Sequence, residues 1–146
     1  MILDELKVYQ LSMKLGEEVW NIVNKWSYFE KDTIGKQLVK AVDSVAANLS
    51  EGFGRYHYKE AKNFSYYARG SLFETKTWLT KARVRNLIPE NDYARFASDI
   101  NQIGKMLNNY IKSIGIKPAT STPILQEPGS TYSLSDIEPP PQTTND

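Results

Sequence analysis

From Tyr93 to Ile114 the residues Tyr93, Phe96, Ile100, Ile103, Leu107, Tyr110 and Ile114 recur at steps of three and four without a break. Such steps place side chains on one face of an α-helix, whereas a strand repeats at every second residue. A seam this regular implies coiled-coil-like packing against other helices. The rest of the chain must therefore supply the partners, and three further stretches have the right period. Val8, Leu11, Leu15, Val19, Ile22 and Trp26 form the first stripe, with Asp4 as its candidate N-cap. Ile34, Leu38, Ala41, Val45 and Leu49 form the second, which Asp32 or Thr33 can cap and Gly52 and Gly54 can end. Ala61, Phe64, Ala68, Leu72, Thr75, Leu79 and Ala82 form the third, over about residues 58–86, and Pro89 suits the first position of the fourth. Nothing alternates with period two over a useful length. Four amphipathic helices with short connections predict an all-α, up-down-up-down four-helix bundle over residues 1–117.

Composition changes sharply after that. Six of the seven prolines lie at or beyond Pro118, in a stretch rich in Ser, Thr and Gln that includes Pro139-Pro140-Pro141. All 18 Lys and Arg lie in residues 1–117 with 13 of the 17 acidic residues, so the body carries +5. Residues 118–146 hold Glu127, Asp136, Glu138 and Asp146 and no base, a charge of −4. Too little apolar surface is present to offset chain ordering, which predicts a disordered acidic tail over 118–146. A plain solubilising tail is the first reading of such a stretch, and Tyr132, Leu134 and Ile137 are the candidate partner-binding motif that stands against it.

Several chemistries lose their raw material. Without cysteine there is no disulfide, thiolate nucleophile or Cys-based metal site. The single histidine, His57, has no Glu-x-x-His companion for a di-metal bundle and no Ser–Asp set for a triad. Gly52-Phe53-Gly54 lacks the Lys-Ser/Thr ending of a phosphate loop and reads as a helix end and turn. Glu51 and Glu74 would need a cleft and mutually shifted pKa values to act as an acid–base pair. No apolar run reaches the ~18–20 residues of a membrane span, and the start lacks the pattern of a secretory signal. The expectation is a soluble, cytoplasmic, non-enzymatic protein with no cofactor, metal, membrane or small-molecule substrate.

Beside the apolar stripe of the second helix runs a polar one: Gln37, Ser44, Asn48, Glu51 and Arg55. The third helix has a mixed line of Tyr67, Ser71, Glu74 and Trp78. A short turn makes these helices antiparallel, and counting outward from it puts Gln37 opposite Glu74. Two readings stand: an inter-helix hydrogen-bond network that sets register, or a subunit or RNA interface. Cations interleaved with aromatics are the second candidate surface, since Lys and Arg contact phosphates and exposed rings stack on unpaired bases. Arg55, His57, Lys59 and Lys62 lie beside Tyr56 and Tyr58, and Lys76, Lys81, Arg83 and Arg85 add charge further on. Solvated helix faces carry the same residues, so an ordinary wet surface is the competing reading. Trp20 lies off its helix's stripe and is a candidate contact between subunits or within the core.

The run from Gln37 to Arg55, with Asn48, Glu51-Gly52 and Gly54-Arg55 as its core, resembles the signature of the four helix bundle protein family, encoded in intervening sequences of bacterial 23S ribosomal RNA genes. Leu6-Lys7-Val8-Tyr9-Gln10 and Ala68-Arg69-Gly70-Ser71-Leu72-Phe73-Glu74 match as well, and the resemblance spans roughly residues 3–115. The family also includes the accessory protein of diversity-generating retroelements. The resemblance implies a four-helix protomer that assembles into a ring, typically a homopentamer. In the retroelement branch it further implies a basic surface for nucleic acid and a reverse transcriptase. Ser27, where the family has a proline, and His57, where it has a capping serine, depart from the pattern, and the acidic tail lies outside it. The expected function is a ring-forming scaffold that binds RNA or a nucleoprotein through its basic surface; the alternative is a purely structural or protein-binding oligomer.

Overall fold

The computed structural model describes residues 1–115, so the tail expected over 118–146 lies outside the described residues. A turn of 3-10 helix, Leu3–Glu5, leads into α1 (Lys7–Val23). Then α2 (Tyr28–Glu30), a π-helical stretch (Lys31–Gly35) and α3 (Lys36–Phe53) run on as one rod with helical backbone at both joins. A tight turn precedes α4 (Tyr58–Val84), and α5 (Glu90–Ser113) completes the chain. In space α1 lies on α3, α3 on α4, α4 on α5 and α5 on α1. That closed square of four rods is the expected up-down-up-down bundle.

The predicted seams are the core. Phe96, Ile100, Ile103 and Leu107 from α5 are buried, as are Leu38, Ala41, Val45 and Leu49 from α3. On α4 the small residues Ala68, Thr75 and Ala82 share the buried face with Leu72 and Leu79. On α1 the buried face is turned slightly from the expected stripe. Ser12, Gly16 and Val23 are fully inside, while Leu11 and Ile22 are half-buried. Buried hydroxyls satisfy themselves on the preceding turn: Ser12 Oγ donates to the Val8 carbonyl (2.7 Å), Ser65 Oγ to Ala61 (2.9 Å) and Thr75 Oγ1 to Ser71 (2.8 Å).

The helix ends depart from expectation. Asp4 does not cap α1; Leu6 stands at its N-cap with no side-chain bond. Neither Asp32 nor Thr33 caps the second rod. It starts a turn and a half earlier, where Ser27 and Glu30 form a reciprocal capping box (Ser27 N–H to Glu30 Oε1, 3.0 Å; Glu30 N–H to Ser27 Oγ, 3.3 Å). Thr33 Oγ1 instead donates to the Phe29 carbonyl at 2.7 Å. Two things hid that start. Tyr28 and Phe29 point to solvent, and the π turn breaks the 3.6 period just before Ile34. Pro89 is the N-cap of α5 rather than its first residue. Helix α4 closes before Asn86, which takes a left-handed φ of 61°. The Leu87 N–H then reaches the Ala82 carbonyl and the Asn86 N–H the Arg83 carbonyl, the paired bonds of a Schellman motif. Trp26, beyond the end of α1, donates its indole N–H to the Leu87 carbonyl (3.2 Å) and pins the two loops at this end of the bundle together.

Two glycines on adjoining helices play opposite parts. A Cβ on Gly52 would stand 2.9 Å from Phe64 Cβ and 3.0 Å from the Ala61 carbonyl, so α3 and α4 touch backbone to backbone there. A Cβ on Gly70, midway along α4, would meet nothing within 4 Å. Gly52→Ala is therefore expected to cost about 1–3 kcal/mol through overpacking. Gly70→Ala is expected to add about 0.5–1 kcal/mol through helix propensity alone. Urea unfolding midpoints of the two variants check both signs.

Candidate functional site

The polar stripe between α3 and α4 separates into three unconnected groups. Its centre is a small hydroxyl–amide cluster. Asn48 Nδ2 donates to the Ser44 carbonyl (2.9 Å) and to Ser44 Oγ (3.0 Å), and Ser71 Oγ reaches Ser44 Oγ from α4 at 3.0 Å. At the turn end, Arg55 is ion-paired to Glu51 and lies 3.9 Å from Glu60, with its guanidinium 4.8 Å above the Phe64 ring. Further up α4, Glu74 Oε2 accepts the indole N–H of Trp78 at 3.0 Å. Gln37 is exposed and makes no side-chain bond among the described residues. The Ser44–Ser71 contact is displaced about one helical turn from a register counted out from the 54–57 loop. That displacement is why the expected Gln37–Glu74 pairing gives way to Glu74–Trp78. Glu51 and Glu74, the candidate acid–base pair, are thus held apart, Glu51 by Arg55 just beyond the end of α3 and Glu74 by Trp78 on α4.

The cations named from sequence fall at opposite ends of α4, which is roughly 40 Å long. At the turn end, carboxylates flank Arg55, and His57 and Lys59 are exposed beside Tyr56, whose ring meets His57 edge-on at 5.0 Å. Lys62, one turn on, is half-buried. At the far end, Arg83 is 3.4 Å from Glu90 and stacks 4.5 Å above Tyr93, while Lys81 and Arg85 are exposed. One residue that the sequence reading passed over joins them. Phe73 projects from the outward face of α4 with 65% of its surface exposed. With Lys76, Thr77, Thr80 and Lys81 it borders a shallow, open depression of about 440 Å³. Thr77 Oγ1 donates back to the Phe73 carbonyl (3.3 Å) and Thr80 Oγ1 to Lys76 (2.8 Å), so the threonines offer acceptors and methyls rather than free donors. Neither Lys76 nor Lys81 has a carboxylate partner among the described residues. The sequence held a usable signal, since Phe73 falls outside the stripe of Ala68, Leu72, Thr75 and Leu79.

A second depression, of about 410 Å³, runs between α1 and α3 and is lined by Tyr9, Ser12, Met13, Glu17, Asp43 and Ala46 among others. Gly16 is buried beneath the Asp43 carboxylate, whose Oδ1 lies 2.9 Å from where a Cβ at position 16 would stand. Desolvation first, and the Glu17 carboxylate second, push the Asp43 carboxyl above its ordinary value of 3.8. No group of three or more His, Cys, Asp or Glu among the described residues could hold a metal ion. No described helix is long and apolar enough to cross a membrane.

Fold and bonding together define a helical-bundle protein. The chain belongs to the 23S rRNA-intervening sequence protein family, which it matches over residues 4–109. Its fold is similar to that of a protein of unknown function from the S23 ribosomal protein family of Bacteroides thetaiotaomicron. The TM-score is 0.68 at 22% identity, covering 76% of this chain and 99% of that one. No curated protein matches the chain.

Two measurements probe this geometry. Ser44→Ala and Ser71→Ala should each cost about 0.5–1.5 kcal/mol, and the double variant less than their sum, because they share one bond. A double-mutant cycle by urea unfolding checks the coupling. A raised carboxyl pKa means the folded state holds its proton more tightly than the unfolded state, so this group's contribution to stability falls as pH rises above 3.8. Asp43→Asn should therefore raise the urea midpoint at pH 7 and leave it unchanged near pH 3.5.

Proposed function

We propose that the protein is a non-enzymatic scaffold that assembles on itself and presents the outward face of α4 to RNA or a ribonucleoprotein. The observation that carries this reading is the grouping of an exposed Phe73 with Lys76 and Lys81, two cations unmatched by carboxylates among the described residues. An exposed ring stacks on an unpaired base with little regard to its identity, while flanking ammonium groups take phosphates. Arg85, one turn further, extends the charged track. The turn-end cluster of Arg55, His57, Lys59 and Lys62 is the weaker half of the surface, because Glu51 and Glu60 flank Arg55 and repel phosphate. The family name, which refers to intervening sequences of 23S rRNA, is in keeping with an RNA context. Self-assembly strengthens the reading, since several copies of a weak site on one ring raise avidity without new contacts. A homopentamer is the ring expected from the family resemblance, and a reverse transcriptase is the protein partner it would suggest.

A second reading, a purely structural or protein-binding oligomer, draws on the same exposed Phe73, since aromatics are enriched at protein interfaces. Salt separates the two. Binding of a labelled structured RNA should weaken steeply between ~50 and ~200 mM salt through counterion release. Phe73→Ala should cost about 5- to 100-fold in affinity with the salt slope kept, whereas Lys76→Ala and Lys81→Ala should each lower that slope by about one. Absence of binding at the lower salt would leave the oligomer reading alone, and sedimentation velocity reports the assembly in either case.

A further inference from the structure

A third depression, at the end of the bundle away from the α3–α4 turn, has a different character. It lies between the last turn of α1 and the start of α3, encloses about 300 Å³, and is lined by Trp20, Val23 and Val39 with Lys31, Lys36 and Lys40 around it. Trp20 keeps 53% of its surface exposed, a large apolar area to leave in water. Lys36 has an exposed pairing with Asp32 at 3.8 Å, and no ion pair engages Lys31 or Lys40 among the described residues. An apolar floor ringed by cations calls for an extended ligand that is both apolar and acidic.

This chain carries such a segment. Tyr132-Ser133-Leu134-Ser135-Asp136-Ile137-Glu138 sets three large apolar side chains among two carboxylates, within a stretch from 118 to 146 that has four acids and no base. We propose that this segment, outside the described residues, seats in the Trp20–Val39 groove of its own chain, with Leu134 and Ile137 on the apolar floor and Asp136 and Glu138 toward the lysines.

Charge and reach both favour that occupant. The α1–α3 depression beside Glu17 and Asp43 is acidic and repels it. The Phe73 surface is open and built on one helix. The basic residues near the turn are interrupted by Glu51 and Glu60. The segment sets out from Gly115, which lies against the Tyr58 ring at the turn end of the bundle. The groove is then about 27 Å away, the length of α3. Residues 116–131 can span about 50 Å when extended, so the connection is long enough without strain. Docking would cover Trp20 and bring two carboxylates to Lys31 and Lys40, which have no ion pair among the described residues, and it does not depend on RNA binding.

The cysteine-free chain allows a direct test. Asn24 is exposed on the groove's lip, and Lys59 is exposed at the opposite end, nearer to where the segment sets out. Full-length Asn24→Cys/Ser135→Cys and Lys59→Cys/Ser135→Cys are oxidised mildly, and products are resolved on non-reducing gels. Seating predicts an intramolecular 24–135 disulfide that forms roughly ten-fold faster than 59–135, because docking raises the local concentration at the farther site. Adding Lys40→Glu or Trp20→Ala, or raising salt to ~500 mM, should slow it several-fold. A 59–135 disulfide that forms as fast or faster is what an undocked tether gives, since closing the shorter loop costs less entropy, and it would overturn the proposal. Covalent dimers as the main 24–135 product would overturn it too, by showing that the groove takes a neighbour's segment.

Discussion

Backbone contact between α3 and α4 at Gly52 is the constraint from which the rest of the bundle follows. A side chain at that position would collide with Phe64 and the Ala61 carbonyl, so only glycine allows the two helices to meet there. Once they meet, Ser44 and Ser71 come within hydrogen-bonding distance further along and lock the slide of one helix on the other. Small residues continue the theme on α4, where Ala61, Ala68 and Ala82 are buried against neighbours that larger groups would push away. The other helices then pack on a pair whose separation and register are already set.

That register also decides what the polar stripe can do. A shift of one turn turns a continuous line of Gln37, Ser44, Asn48, Glu51 and Arg55 into separate local partnerships. Glu51 goes to Arg55, Glu74 goes to Trp78, and within the central cluster the Ser44–Ser71 bond is the one that crosses between the helices, Asn48 holding Ser44 from within α3. Each carboxylate is thereby held in place on an exposed helix face, which is poor material for acid–base chemistry and good material for a fixed surface.

The bundle separates its surfaces by charge: an acidic depression beside Glu17 and Asp43, a basic apolar groove at Trp20, and a cationic aromatic face at Phe73. The first two occupy successive stretches of the α1–α3 pair, and the third lies on α4. A heterologous contact between unlike patches is also the kind that closes into rings when the rotation permits.

Helical class, helix number and most of the core were legible in the chain, because burial at period 3.6 is a local property that a sequence records directly, though Val23, Val42, Tyr66 and Ile111 are buried without having been read as core. Phe96, Ile100, Ile103 and Leu107 of the α5 seam and Leu38, Ala41, Val45 and Leu49 of α3 are buried as they read in the sequence, but toward the end of α5 the buried residue is Ile111, while Tyr110 and Ile114 are half-buried. The start of the second rod was not legible, since Tyr28 and Phe29 are exposed and the π turn resets the phase ahead of Ile34. Nor was the pairing of the polar residues, because it depends on a one-turn slide between helices that loop length alone does not specify. The basic residues were visible as a list, but which of them were already neutralised was not. Arg55 between Glu51 and Glu60, and Arg83 between Glu90 and Tyr93, are decided by neighbours on other turns and other helices. What the sequence determined by itself was which faces are buried, a matter of spacing along one helix; what the tertiary structure decided was which polar groups meet, a matter of distances between helices.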